Sequence, residues 1–157
     1  MLALLLAALQ APACPATPAP LPASLTGWSV APPIAAGRGA EAAAAVPIGR
    51  SVRATLTPQS AVRFAVAPAR PGAADARGGV FAVTVVKAGR YRVALGTAAW
   101  IDVVAGGRSL ASVAHGHGPA CSGIRKMVDF DLSPGRHLIQ IAGSADPAVT
   151  LLVTPLP

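Results

Sequence analysis

Two histidines and one of the two cysteines fall within thirteen residues, in the run Ala114-His115-Gly116-His117-Gly118-Pro119-Ala120-Cys121-Ser122-Gly123-Ile124-Arg125-Lys126. Neutral imidazole nitrogen and thiolate sulfur are the donors that zinc and copper prefer, so His115, His117 and Cys121 form a candidate metal set. Arg125 and Lys126 follow closely and favour the thiolate form of Cys121. In a flat strand, side chains at i and i+2 share a face but stand roughly 6.5–7 Å apart. Gly116 and Gly118 would have to curl the backbone to bring the two rings together. A fourth ligand must come from elsewhere, and His137, Asp102 and Asp129 are the candidates. The same residues admit a second chemistry. Backbone N–H groups around Gly116, Gly118 and Gly123, flanked by Arg125 and Lys126, would form a nest for an anion or other small ligand. A third reading is structural: surface histidines on a glycine-rich loop, with Cys121 buried as a small hydrophobe.

Several catalytic patterns fail on spacing. A phosphate-binding loop needs Lys and then Ser or Thr after its last glycine, followed by a helix. Here Ile124 and Arg125 follow Gly123, and the residues beyond alternate as a strand does. No G-x-S-x-G elbow occurs. A Cys121–His nucleophilic pair would depend on geometry that spacing does not supply.

The elements that must position this loop are short strands. Val52, Ala54 and Leu56 alternate with Arg53, Thr55 and Thr57, and Val62, Phe64 and Val66 alternate with Arg63 and Ala65, as in half-buried strands. Residues 80–86 are almost all apolar, as expected of a strand covered on both faces. Tyr91, Val93 and Leu95 oppose Arg90 and Arg92, and Ile101 and Val103 oppose Trp100 and Asp102. Gly106-Gly107 marks a hairpin turn, since both residues accept positive φ. Residues 109–113 return from it. After the loop, Val128 and Phe130 alternate with Asp129 and Asp131, Pro134-Gly135 turns the chain, and strands follow at 137–141 and 149–153. These spacings predict an all-β domain, an antiparallel β-sandwich or jelly roll of about eight to nine strands. Tyr91, Val93, Leu95, Ile101, Val103, Val128, Phe130 and Ile139 are the expected core.

The N-terminal third differs in composition. Residues 1–9 are almost wholly Leu and Ala, and Ala11-Pro12-Ala13 offers an A-x-A cleavage pattern, so residues 1–13 are expected to be a signal peptide. No basic residue precedes that apolar run, which would be explained by a start codon further upstream. The run is shorter than the ~20 residues of a membrane span. Residues 14–49, rich in Pro and Ala, are expected to be a linker of extended character, with residues 50–157 as the sandwich domain. Trp28 interrupts the linker, either packing on the domain edge or stacking on a ligand. Export to the periplasm or the medium would permit a Cys14–Cys121 disulfide. Cys14 also stands where a lipid anchor would be attached, a less favoured alternative.

The net charge is +7 in 157 residues, mostly from scattered arginines. No dense basic block exists, and three Phe, two Trp and one Tyr give few rings for stacking on bases. Nucleic acid is therefore not an expected partner, whereas a small ligand or anion is.

The run AHGHGPACSGIRK, preceded by YRVALGTAAWIDVV and followed by VDFDLSPGRHLIQIAGS, resembles a family of small exported bacterial β-proteins. Some members carry the label homogentisate 1,2-dioxygenase. That resemblance implies a non-haem iron enzyme, with imidazoles from His115, His117 and His137 and a carboxylate from Asp102 or Asp129. A looser likeness is to carbohydrate-binding jelly rolls, through the Gly89-Arg90-Tyr91 strand and the Pro134-Gly135 turn. The sequence thus predicts an exported ligand-, anion- or metal-binding module using residues 115–126. Zinc, copper or iron would be its metal. The alternatives are an iron dioxygenase and a structural envelope protein.

Overall fold

The computed structural model describes residues 13–157. The expected apolar leader and most of its cleavage pattern lie outside the described residues. The rest folds as a sandwich of two mixed sheets. The first sheet runs β1 (Pro33–Ala35), β3 (Val52–Thr55), β12 (Ala148–Pro155), β6 (Gly89–Leu95), β10 (Lys126–Leu132) and β9 (Ala114–Gly116) from edge to edge. The second runs β2 (Ala44–Ala45), β5 (Arg77–Val85), β11 (Gly135–Ser144), β7 (Trp100–Ala105) and β8 (Arg108–Ser109), with β4 (Thr57–Pro58) also paired to β5. Pairing is antiparallel except at β1–β3 and β2–β5.

Alternation decides which side chains go inside. Tyr91, Val93, Leu95, Val128 and Phe130 project from the first sheet, and Ile101, Val103 and Ile139 from the second, into one shared core. All eight residues of the expected core are buried there. Gly106 and Gly107 take φ of 56° and 75°, and the hairpin they close pairs Val104 with Ser109.

Two expectations, one from composition and one from alternation, are corrected. The stretch 14–49 is not simply a linker: Leu25 is buried, β1 and β2 pair with strands of both sheets, and Ala36 and Val46 join the core. Proline is tolerated there because β1 is an edge strand, where a missing N–H breaks no ladder. Residues 62–66 are not a strand either. They cross the outer face of the second sheet, where Val62, Phe64 and Val66 cover Val80, Val104 and Leu138. The fully buried Gln140 supplies the hydrogen bonds a neighbouring strand would have given. Its Oε1 accepts from Ala65 N–H and Val66 N–H, and its Nε2 donates to the Val66 carbonyl.

The outer face of the first sheet carries a smaller apolar cluster of Leu25, Ala94, Ile124 and Leu152, with Trp28 packed on it. Trp28 Nε1–H donates to the Ser122 carbonyl over 3.1 Å, which ties the N-terminal segment to the loop. Of the two readings of Trp28, the structure shows packing on the domain edge. Cys14 and Cys121 form a disulfide across the same contact, with Cα atoms 5.6 Å apart.

Candidate functional site

The chain passes from the second sheet to the first through residues 109–116, along one open side of the sandwich. β8 ends after two residues, so Trp100, Ile101 and Asp102 of β7 form the sheet edge there. β9 is the corresponding edge of the first sheet, and His115 pairs with Val128 across it. The two edges leave between them a cleft of about 600 Å³.

The inner end of the cleft is apolar, walled by Ile101, Leu110, Val128 and Phe130. Its mouth is polar and cationic. Lys126 Nζ lies 5.2 Å from the centroid of the Trp100 ring and Arg70 Cζ lies 5.3 Å from it. Such cation–π contacts hold both charges against the indole. Trp100 is fixed in turn, since its Nε1–H donates to Asp102 Oδ2 over 3.0 Å. The other oxygen of Asp102 accepts from Ser109 Oγ–H. Lys126 Nζ donates to the Ala99 carbonyl over 2.8 Å. Burial, then the positive charge of Arg70, pulls the Lys126 pKa below that of an ordinary lysine.

Neither cation has a carboxylate partner. Among the described residues the ion pairs are Arg90–Asp131 and Arg92–Asp129, both doubly hydrogen-bonded across neighbouring strands. Asp129 is nearly buried, and Arg92 balances its charge there.

The expected metal set is not brought together. The Cys121 sulfur is committed to the disulfide. His137 is buried between the sheets, where its Nδ1–H donates to the Gly135 carbonyl. His117 donates Nδ1–H to the Arg125 carbonyl over 2.8 Å and lines a separate, shallow hollow with Arg125. His115 faces the cleft instead. Among the described residues no group of three His, Cys, Asp or Glu side chains could hold a metal ion. The iron set implied by the resemblance fails the same test: the Asp102 oxygens are taken by Trp100 and Ser109, and those of Asp129 by Arg92.

The loop is not an open nest of N–H groups. Gly118 N–H donates to the Ile124 carbonyl, Ser122 N–H to the Pro119 carbonyl and Ile124 N–H to Ser122 Oγ. Gly118 is needed for that closure, because a Cβ on it would strike the Ile124 side chain. A Cβ on Gly116 would meet open space. Cys121 and Gly123 both take positive φ to complete the turn. Gly118 and Gly123 therefore shape the loop, Gly116 borders open space, Arg125 sits in the shallow hollow, and His115 and Lys126 share the cleft with Asp102.

Sequence reasoning missed Arg70 altogether. It sits in a Pro/Gly loop with no periodicity to place it. Trp100 left a trace, a large aromatic on the side of its strand opposite Ile101 and Val103.

Compared with known proteins, the chain matches no family model, no curated protein and no solved structure. Its functional reading rests on the geometry of the cleft.

Proposed function

We propose that this chain is an extracytoplasmic binding module that takes a small organic anion in the cleft between its two sheets. One observation carries the reading: Lys126 and Arg70, neither paired with a carboxylate, converge on Trp100 at the mouth of an apolar pocket. Few polar groups converging on an apolar cavity of this size is the usual form of a small-molecule site. Asp102 shares the cleft, but its charge is met by indole and hydroxyl donors and does not neutralise both cations. A ligand with one carboxylate and a short apolar body satisfies both ends. The disulfide supports the location outside the cytoplasm, since such bonds persist in oxidising compartments.

Titration calorimetry with propionate and benzoate tests this on the full chain. Both should bind, and the isosteric alcohols should not. Lys126→Gln and Arg70→Gln should each weaken binding by roughly tenfold or more, the value of one charge-assisted hydrogen bond. Absence of binding, or wild-type affinity in both variants, overturns the reading.

A further inference from the structure

We propose that Lys126 Nζ captures the carbonyl carbon of a small oxo-acid as a protonated Schiff base, with Arg70 holding the acid's carboxylate. This deepens the binding reading and rests on it. A lysine whose sole task is to attract an anion gains from full charge and from water. The surroundings of Lys126 oppose both. It is half-buried against the apolar wall of the cleft, and a second cation shares its aromatic ring. The charged and titratable groups lining that cleft are Arg70, Asp102 and His115, and the Asp102 carboxylate is occupied by Trp100 and Ser109. Burial and Arg70 both favour the neutral amine, the form that attacks carbonyls. The hydrogen bond to the Ala99 carbonyl uses one N–H and holds the nitrogen in place with its lone pair free to attack when neutral.

The step balances without a further reactant. The nitrogen lone pair forms the C–N bond, and the carbonyl π pair moves to oxygen, which takes up the proton that nitrogen gives up. The hydroxyl then leaves as water after a second protonation, and the nitrogen lone pair closes the C=N bond. An ammonium and a carbonyl become an iminium and water. The iminium keeps the positive charge beside Trp100, so the cation–π contact survives the reaction. Arg70 supplies the complementary charge for the carboxylate, which distinguishes a 2-oxo or 3-oxo acid from a neutral ketone.

The chain offers a built-in control. Its only other lysine, Lys87, is exposed. The full chain would be incubated with pyruvate and cyanoborohydride near neutral pH, then read by intact mass and peptide mapping. The expected product is one ligand less one oxygen on Lys126, in clear excess over Lys87, because burial and Arg70 both favour the neutral amine at Lys126. Arg70→Gln should reduce labelling by pyruvate more than labelling by acetone, since both lose the help of Arg70 in neutralising the amine but only pyruvate loses its carboxylate partner. Equal labelling of the two lysines, or none, overturns the proposal. Acetone reacting as well as pyruvate in the wild type overturns the oxo-acid assignment. Reversible pyruvate binding, followed in parallel by ligand NMR, separates the two readings. Binding without trapping removes the Schiff base and leaves the anion site, whereas no binding removes both.

Discussion

Lys126 is placed by its strand and tuned by its neighbours. Even positions of β10 face inward, so Lys126 stands in line with Val128 and Phe130 at the point where the sandwich opens. Its proton is held less firmly than the ordinary value of 10.5 implies, first through burial and then through Arg70. The sign of the stability effect follows. Between the lowered folded pKa and the unfolded value, the unfolded chain binds more protons, so stability rises with pH through that window. Below it, the charged lysine is a constant penalty. Urea melts of wild type and Lys126→Gln should therefore show the variant ahead at neutral pH, with the gap closing as pH climbs toward 10.5. A gap independent of pH would mean that the lysine is not desolvated. A bound carboxylate should shrink the gap at neutral pH, because it restores the reason for the charge.

At the scale of elements, the second sheet is covered on its outer face by chain that is not itself a strand. Residues 62–66 carry the alternating pattern of one, and they use it to press Val62, Phe64 and Val66 onto Val80, Val104 and Leu138. What they lack is a backbone partner, and the Gln140 side chain takes that part. Gln140→Leu keeps similar bulk but leaves two N–H groups and a carbonyl without partners. The expected cost is roughly 2–5 kcal/mol in denaturant melts, from the lost hydrogen bonds and the loosened cover. Hydrogen exchange at Ala65 and Val66 should accelerate with it. A loss under about 1 kcal/mol would show that water replaces the amide at little cost. The same covering chain continues into the loop that delivers Arg70 to the cleft, so this element links the packing of the second sheet to the proposed site.

At the scale of the whole molecule, the N-terminal segment is fastened to the loop that carries Cys121. The Cys14–Cys121 bond spans 107 residues, and Trp28 donates to the carbonyl next to Cys121. A cross-link over that length removes much of the freedom of the unfolded chain. Replacing both cysteines with serine should lower unfolding free energy by roughly 2–4 kcal/mol in non-reducing urea melts. Anion binding should persist in that variant, because the cleft lies beside Trp100 and takes no residue from the disulfide. Unchanged stability would mean that Leu25 and Trp28 already hold the N-terminal segment. The charge of +7 acts at this scale too, since a net positive field raises the arrival rate of anions.

Alternation of period two was enough, from sequence, to determine an all-β sandwich, the Gly106-Gly107 hairpin and the face on which Tyr91, Val93, Ile101 and Phe130 are buried. These are local consequences of strand geometry, and a strand's side-chain period does not depend on its partners. Sequence also pointed to the 114–126 run, whose residue types are unusual for this chain. Only the tertiary structure decided where the side chains of that run go. His115 and His117 are two residues apart, yet one faces the cleft and the other donates to Arg125 once β9 has ended. Cys121 is claimed by a cysteine from the far end of the chain. Residues 33–35 and 44–45 became strands because sheet edges were available to receive them, a property of the assembled sheets that composition does not carry. Arg70 reaches Trp100 and Lys126 from a loop without periodicity. The meeting of those three side chains exists only once both sheets have closed, so no spacing in the sequence could announce it.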